Sequence, residues 1–446
     1  MSTPPASAVH PTPPGARRRV VGAAVVGTIV EWYDFTLYGQ AAALVFSQLF
    51  FPSFSPLAGT AAAFATYAVG FFARPLGGLV FSHFGDRIGR RPMLVLTLCL
   101  MGVATTLIGF LPTYATVGLW APVLLVLLRL LQGAGAGAEY AGAVVMVAEH
   151  SSARRRGLAA AVPAAGTFVG ILLATGTATM VSRLPDDALL SWGWRVPFWC
   201  SVVVVAVGIY LRRRVLESPE FESVKDQGTE HRLPLARLLR TQPRRVLLAM
   251  GTNFALNGYS YVLQVFFLTY ITTQLGMAKS VGLTGLFIAS AVAIVTIPLF
   301  GALSDRVGRR TVYVSGAVFA TAFSLVLFPL LDTEIPWVIW LALTIGVAVG
   351  AASMFGAQGS FYAELFDTRS RYSGIAFVRE VTGALIGGPT PFLATALLAV
   401  ASGSPWPIVG YMVFTTVVSA VCAALLPETN PRDRRHEVEP AAERAS

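Results

Sequence analysis

Residues 27–39 read GTIVEWYDFTLYG and set two carboxylates and a phenol, Glu31, Asp34 and Tyr38, at i, i+3 and i+7, one face of a helix. The surrounding run is apolar and long enough to cross a bilayer, where a charge at the centre costs about 2.5–3.5 kcal/mol on insertion scales. Two kinds of chemistry offset that cost: pairing with an intramembrane arginine, or taking up a proton. Inside apolar runs, Glu31, Asp34, Glu139 and Glu380 stand against Arg74, Arg129 and Arg379, one acid in excess. An acid left without an arginine in a low-dielectric site is a natural proton carrier. Asp34 or Glu31 is the first candidate, the other being expected to pair with an arginine, and Glu139 is the next.

Other polar stripes offer groups that recognise a small polar solute. In LLRLLQGAGAGAEYAGA, residues 127–143, Arg129 and Tyr140 are eleven residues apart and nearly eclipse on a helix, with Gln132 and Glu139 on the adjoining strip. Further on, Asn253, Asn257, Tyr261 and Gln264 follow at i, i+4, i+8 and i+11. That face carries more hydrogen-bonding groups than a helix–helix seam requires. With Tyr38, these residues are expected to line one central cavity, where Arg129 or Arg379 would hold an anionic group through charge-assisted, bidentate hydrogen bonds. Arg379 and Glu380 are sequence neighbours pointing about 100° apart on a helix, so one of them is expected to face the cavity. Arg379 alternatively snorkels to the headgroups from near its span's end. Trp32, Tyr33 and Phe35 are expected to pack.

Positioning such stripes takes many membrane-spanning helices. The 446 residues are 55% hydrophobic and 13% charged, with a mean hydropathy of +0.65, the composition of a polytopic membrane protein. Apolar segments of about 20 residues or more, the length that spans a bilayer, number twelve, six on each side of a polar stretch. The expected fold is an all-α membrane protein with twelve transmembrane helices in two six-helix halves. Its divisions are a disordered cytoplasmic tail at 1–19, a bundle at 20–211, a cytoplasmic middle loop at 212–245, a second bundle at 246–427 and a cytoplasmic tail at 428–446. The tails, middle loop and alternate loops hold 27 of the 33 Lys and Arg, while only Arg183, Arg195 and Lys279 fall on the other side. Both termini are therefore expected in the cytoplasm. The net charge of +10 is thus a topology signal, and the partners expected are a lipid bilayer, a small solute and a proton, with no nucleic acid. Cys99, Cys200 and Cys422 lie singly in apolar runs and suggest neither a disulfide nor a metal site. With no nucleophile–base pair, metal-ligand motif or G-x-x-x-x-G-K-[ST] loop in the sequence, no enzyme activity, cofactor or ATP-driven step is expected.

The halves echo each other: GDRIGRRP at 85–92 recurs as SDRVGRRT at 304–311, and AEHSSARRRG at 148–157 as AELFDTRSRYSG at 363–374. A tandem six-helix repeat is a common transporter architecture with a midplane site between halves. The G-D-R-x-G-R-R loop, its degenerate copy and the glycine run after Arg129 resemble the major facilitator superfamily. EWYDFTLYG, FFARPLGGLVFSHFGDRIGRRP, ESPEF, RYSG and GGPTPF narrow that resemblance to the metabolite:proton symporter branch. The resemblance implies a monomeric bacterial inner-membrane symporter working by alternating access. Its substrate would be a small organic acid (shikimate-, citrate- or dicarboxylate-like) or related polar metabolite, the alternatives being a proline/betaine osmolyte symporter or a metabolite or drug exporter. It also implies a conformational latch at Asp86, Arg87, Arg90 and Arg91 and, more weakly by match, at Asp305, Arg306, Arg309 and Arg310. The osmosensing subgroup's long C-terminal coiled coil has no counterpart in the short polar tail. Members often carry Tyr-Gln where this chain has Arg379-Glu380, so no single member's substrate transfers directly.

Overall fold

The computed structural model describes residues 14–88, 90–137, 144, 147, 151, 153–212, 234–367 and 371–430. Glu139 and Tyr140 lie outside these residues, as do the side chains of Asp86, Arg87, Arg90 and Arg91. The first half contains α1 (Pro14–Ala41, continuing through a π turn to Phe50), α2 (Pro56–Ile88), α3 (Arg90–Ile108), α4 (Trp120–Ala136), α5 (Arg156–Val181) and α6 (Val196–Arg212). The second contains α7 (Pro243–Gln274), α8 (Lys279–Val307), α9 (Arg309–Leu331), α10 (Pro336–Leu365), α11 (Arg371–Val400) and α12 (Trp406–Leu425). Among the described residues nine helices are long and apolar enough to cross a membrane; α3 and α4 are shorter apolar helices. With α1 they make up the expected twelve.

Two boundaries differ from those read in the sequence. α1 starts at Pro14 rather than near residue 20, because proline suits a helix start and arginine sustains a helix. The middle stretch holds a short helix, Pro234–Thr241, with Leu238 buried, before α7 begins at Pro243.

One apolar core runs through both halves, from Phe46, Phe64 and Phe168 to Tyr259, Phe266 and Phe328. The outer surface is apolar too: Leu76, Val103, Val295, Leu299, Leu325 and Val421 are exposed, as suits side chains that face lipid rather than water. Small residues set how closely helices approach. In the α2–α4 contact, a Cβ on Gly133 would overlap the Gly70 carbonyl oxygen, one on Gly77 the Ala134 carbonyl, and one on Gly137 the Arg74 carbonyl. Only glycine permits that backbone-to-backbone contact. The halves meet where α5 packs on α8 and α2 on α11.

Candidate functional site

α2 delivers Arg74 to the seam between the halves. Its Nη2 lies 2.5 Å from Glu31 Oε1 on α1, and its Nε lies 2.6 Å from Glu380 Oε2 on α11, with a longer 3.3 Å contact from Nη2 to Glu380 Oε1. All three side chains are buried. Desolvating a charge costs several kcal/mol, and close pairing offsets it. Arg74 also faces the rings of Phe35 and Phe71, at 4.9 and 5.4 Å. The sequence left open whether Glu31 or Asp34 takes the arginine; in the structure Glu31 does.

Beside this triad lies a cavity of about 30 Å³ lined by both halves. The first half contributes Trp32, Phe71 and Arg74, and the second Asn253, Asn257, Tyr261, Gln358, Arg379 and Glu380 among others. Its amides are ordered by mutual bonds: Asn253 Nδ2 donates to Thr382 Oγ1 at 2.5 Å, and Asn253 Oδ1 accepts from Gln358 Nε2 at 2.8 Å. Trp32 and Tyr261 meet across the halves with ring centroids 6.1 Å apart. Arg379 and Glu380 both line the cavity, where one was expected.

The structure departs from the sequence reading at three lining residues. Gln264 is buried but does not line the cavity, because it sits in a π turn, Val262–Phe266. Such a turn takes up an extra residue and breaks the i, i+4, i+8 register. Tyr38 is buried inside the first half, sharing a 2.5 Å hydrogen bond with Thr66. Arg129 is fully buried there too, its guanidinium facing Phe35 and Tyr38 at 4.3 Å each and Tyr67 at 4.7 Å. It donates to Gln132 Oε1. Both guanidiniums therefore face the Phe35 ring, and Arg129 lies among aromatic rings and outside the cavity's lining, where the sequence had placed an anion site. Conversely, Arg74, Trp32, Phe71 and Gln358 were not singled out as lining residues. An arginine in an otherwise apolar span was the one signal that pointed to Arg74.

Asp34 lies near Arg129. It is fully buried and neither carboxylate oxygen has a hydrogen-bond partner. Thr105 is near enough to interact with it and Arg129 near enough to act on its charge, but neither meets it with a hydrogen bond of ordinary geometry. Both are committed elsewhere: Thr105 Oγ1 donates to Met101 O at 2.9 Å and accepts from Gln132 Nε2 at 2.7 Å, and Gln132 in turn engages Arg129.

At the end of the bundle carrying the D-R-x-G-R-R loops, Asp305 accepts from the Gly157 and Leu158 amides at 2.8 and 3.0 Å. These amides open α5, in the other half, where the helix dipole favours an anion. Arg309 lies 2.7 Å from Asp305 Oδ1 and 3.3 Å from Glu364 Oε2, and Arg156 of the first half reaches Glu364 at 3.5 Å. The Arg309 and Arg310 amides donate to Glu428 at 2.8 and 3.0 Å, and Arg306 is exposed. At the opposite end Lys279 and Asp186 pair across the halves at 3.0 Å. Asp305→Asn is expected to cut initial uptake into proteoliposomes about tenfold and to lower the melting temperature, because an amide nitrogen repels one of the two N–H groups, a bond to a charged group is worth about 1.5–3 kcal/mol, and the buried Arg309 loses its 2.7 Å partner. An unchanged uptake rate would remove Asp305 from the closure.

The Major Facilitator Superfamily profile matches residues 24–389. The chain is 37% identical to the shikimate transporter of Escherichia coli K12 over 418 residues, covering 93% of this chain and 95% of that one. It is 32% identical over 429 residues to the proline/betaine transporter of Salmonella typhimurium, covering 94% and 85%. A crystal structure of a D-xylose–proton symporter superposes with a TM-score of 0.73 at 18% identity over 92% of this chain and 98% of that one, which supports the shared fold. Sequence profile, relatives and fold agree that the chain belongs to the major facilitator superfamily, in the branch that holds these metabolite transporters.

Proposed function

We propose that the protein is a proton-coupled symporter that moves a small organic acid, or a related polar metabolite, by alternating access of its two halves. The observation that carries this reading is Asp34, the one buried carboxylate among the described residues with no partner on either oxygen. A carboxylate so placed binds a proton readily and releases it when water reaches it. The solute would occupy the cavity among Asn253, Asn257, Tyr261, Gln358 and Arg379 once the halves part, since about 30 Å³ does not admit an organic acid. Arg129, fixed by Gln132 and the rings, would sense the charge on Asp34 rather than hold substrate.

The similarity to a shikimate transporter supports an organic acid, and the similarity to a proline/betaine transporter supports the osmolyte alternative. Uptake of shikimate, citrate, 2-oxoglutarate, proline and betaine into proteoliposomes under an imposed pH gradient decides among them. Accumulation that collapses with a protonophore is expected for at least one of the acids. Release from preloaded vesicles without uptake would instead identify an exporter.

We propose further that the protein acts as a monomer, and that both termini lie in the cytoplasm, a reading which the Lys and Arg asymmetry supports. Single cysteines at Ser2 and Ser446 should resist an impermeant thiol reagent in intact cells. Labelling of either from outside would overturn this topology.

A further inference from the structure

The Arg74–Glu380 pair joins the halves inside the proposed solute cavity, and its geometry has the form of a ligand contact. Arg74 presents its Nε and Nη2 edge, and Glu380 meets it with both oxygens, at 2.6 and 3.3 Å. This planar fork is what arginine offers to any carboxylate. Glu31 holds Nη2 from the other side and keeps the guanidinium oriented. In the same lining, the Trp32 indole Nε1 is buried with no hydrogen-bond partner. A buried N–H without an acceptor is costly, and a ligand acceptor would remove that cost. Glu380 belongs to the second half and Arg74 to the first, so parting the halves along this seam must break the pair. Two buried charges then need replacement partners.

We infer that the Arg74 fork is the substrate's carboxylate seat and that Glu380 occupies it as an internal surrogate, which an incoming carboxylate displaces with Trp32 Nε1 as a further donor. This deepens the transport reading above and rests on it. The solute class it names is one bearing a carboxylate, whether anion or zwitterion. Glu380 thereby sets affinity by competition, and the inter-half pair opens when a ligand of the right chemistry takes its place.

Calorimetry on the purified full-length protein tests this with shikimate and its methyl ester, which lacks the charged carboxylate, and with betaine. Wild type is expected to bind at least one of the two carboxylates and not the ester. Glu380→Gln should bind that carboxylate about tenfold tighter, as removal of one charge-assisted competitor implies, with the ester still not bound. Loosened closure alone would strengthen both ligands, so a parallel gain for the ester would overturn the inference. The double variant Arg74→Lys with Glu380→Gln should lose the gain, because an ammonium lacks the fork. Wild-type affinity or weaker binding in folded Glu380→Gln would overturn the surrogate role while leaving transport intact. Failure of wild type to bind either carboxylate, or citrate, 2-oxoglutarate or proline tested in the same way, would overturn the inference together with the organic-acid and osmolyte readings. If Glu380→Gln proves unstable, Glu380→Asp, one methylene shorter, should give a smaller gain in the same direction, and no gain would overturn the proposal.

Discussion

Asp34→Asn is expected to abolish proton-driven accumulation while substrate exchange between preloaded vesicles and medium continues. Asparagine keeps the shape of the protonated carboxyl group and can never release a proton, so the halves can cycle with substrate bound but the gradient no longer does work. With one pH unit across the membrane, one proton per substrate supports about tenfold accumulation, each 1.4 kcal/mol being a factor of ten. For the variant the ratio should fall to about one. Glu31→Gln should behave differently, because Glu31 is tied to Arg74 at 2.5 Å. Removing one partner of a buried pair costs about 3–5 kcal/mol, so its leading effect should be a lowered melting temperature and poor yield. Accumulation by Asp34→Asn at the wild-type level would remove Asp34 as the carrier and pass the role to Glu139.

The second large effect is expected at Gly133. Any Cβ there would overlap the Gly70 carbonyl oxygen, and because the obstacle is backbone no rotamer change relieves it. Gly133→Val should therefore drive α4 away from α2, displacing Arg129 on one helix and Arg74 on the other. Overpacking costs about 1–3 kcal/mol even where the surroundings adjust, and here the adjustment is a helix shift. The expected result is little or no monodisperse protein on size-exclusion chromatography. Gly410→Val is the matched control: a Cβ at Gly410 meets nothing within 4 Å, so yield and melting temperature should hold. Equal yields from the two variants would refute the α2–α4 packing described above.

Much of this protein follows from one-dimensional patterns. Span length is a count of apolar residues, so the twelve helices and their two sets of six were legible, as was the repeat of the D-R-x-G-R-R loop. Helical periodicity also brought Asn253, Asn257 and Tyr261 to one cavity face, since those positions precede the π turn that removes Gln264 from it. The charge tally announced one acid in excess, because the sum of buried charges depends only on which residues lie in spans.

Which acid the arginine takes, however, depends on distances between helices far apart in sequence. Arg74 meets Glu31 and Glu380, 43 and 306 positions away, and a helical wheel assigns each side chain a direction without a neighbour. The same limit applies to Arg129 and Tyr38: their faces do turn inward, but onto partners within the first half, Gln132 and Thr66, and neither lines the cavity. Asp305's partners were out of reach for a related reason, since a motif describes a loop while its partners are the amides that open α5 in the opposite half. The sequence by itself determined how many helices there are and which of their faces are polar. The tertiary structure alone decided which charges pair, because Arg74, Glu31 and Glu380 come from three different helices, and which faces of separate helices meet is set by their packing and not by the pattern along any one of them.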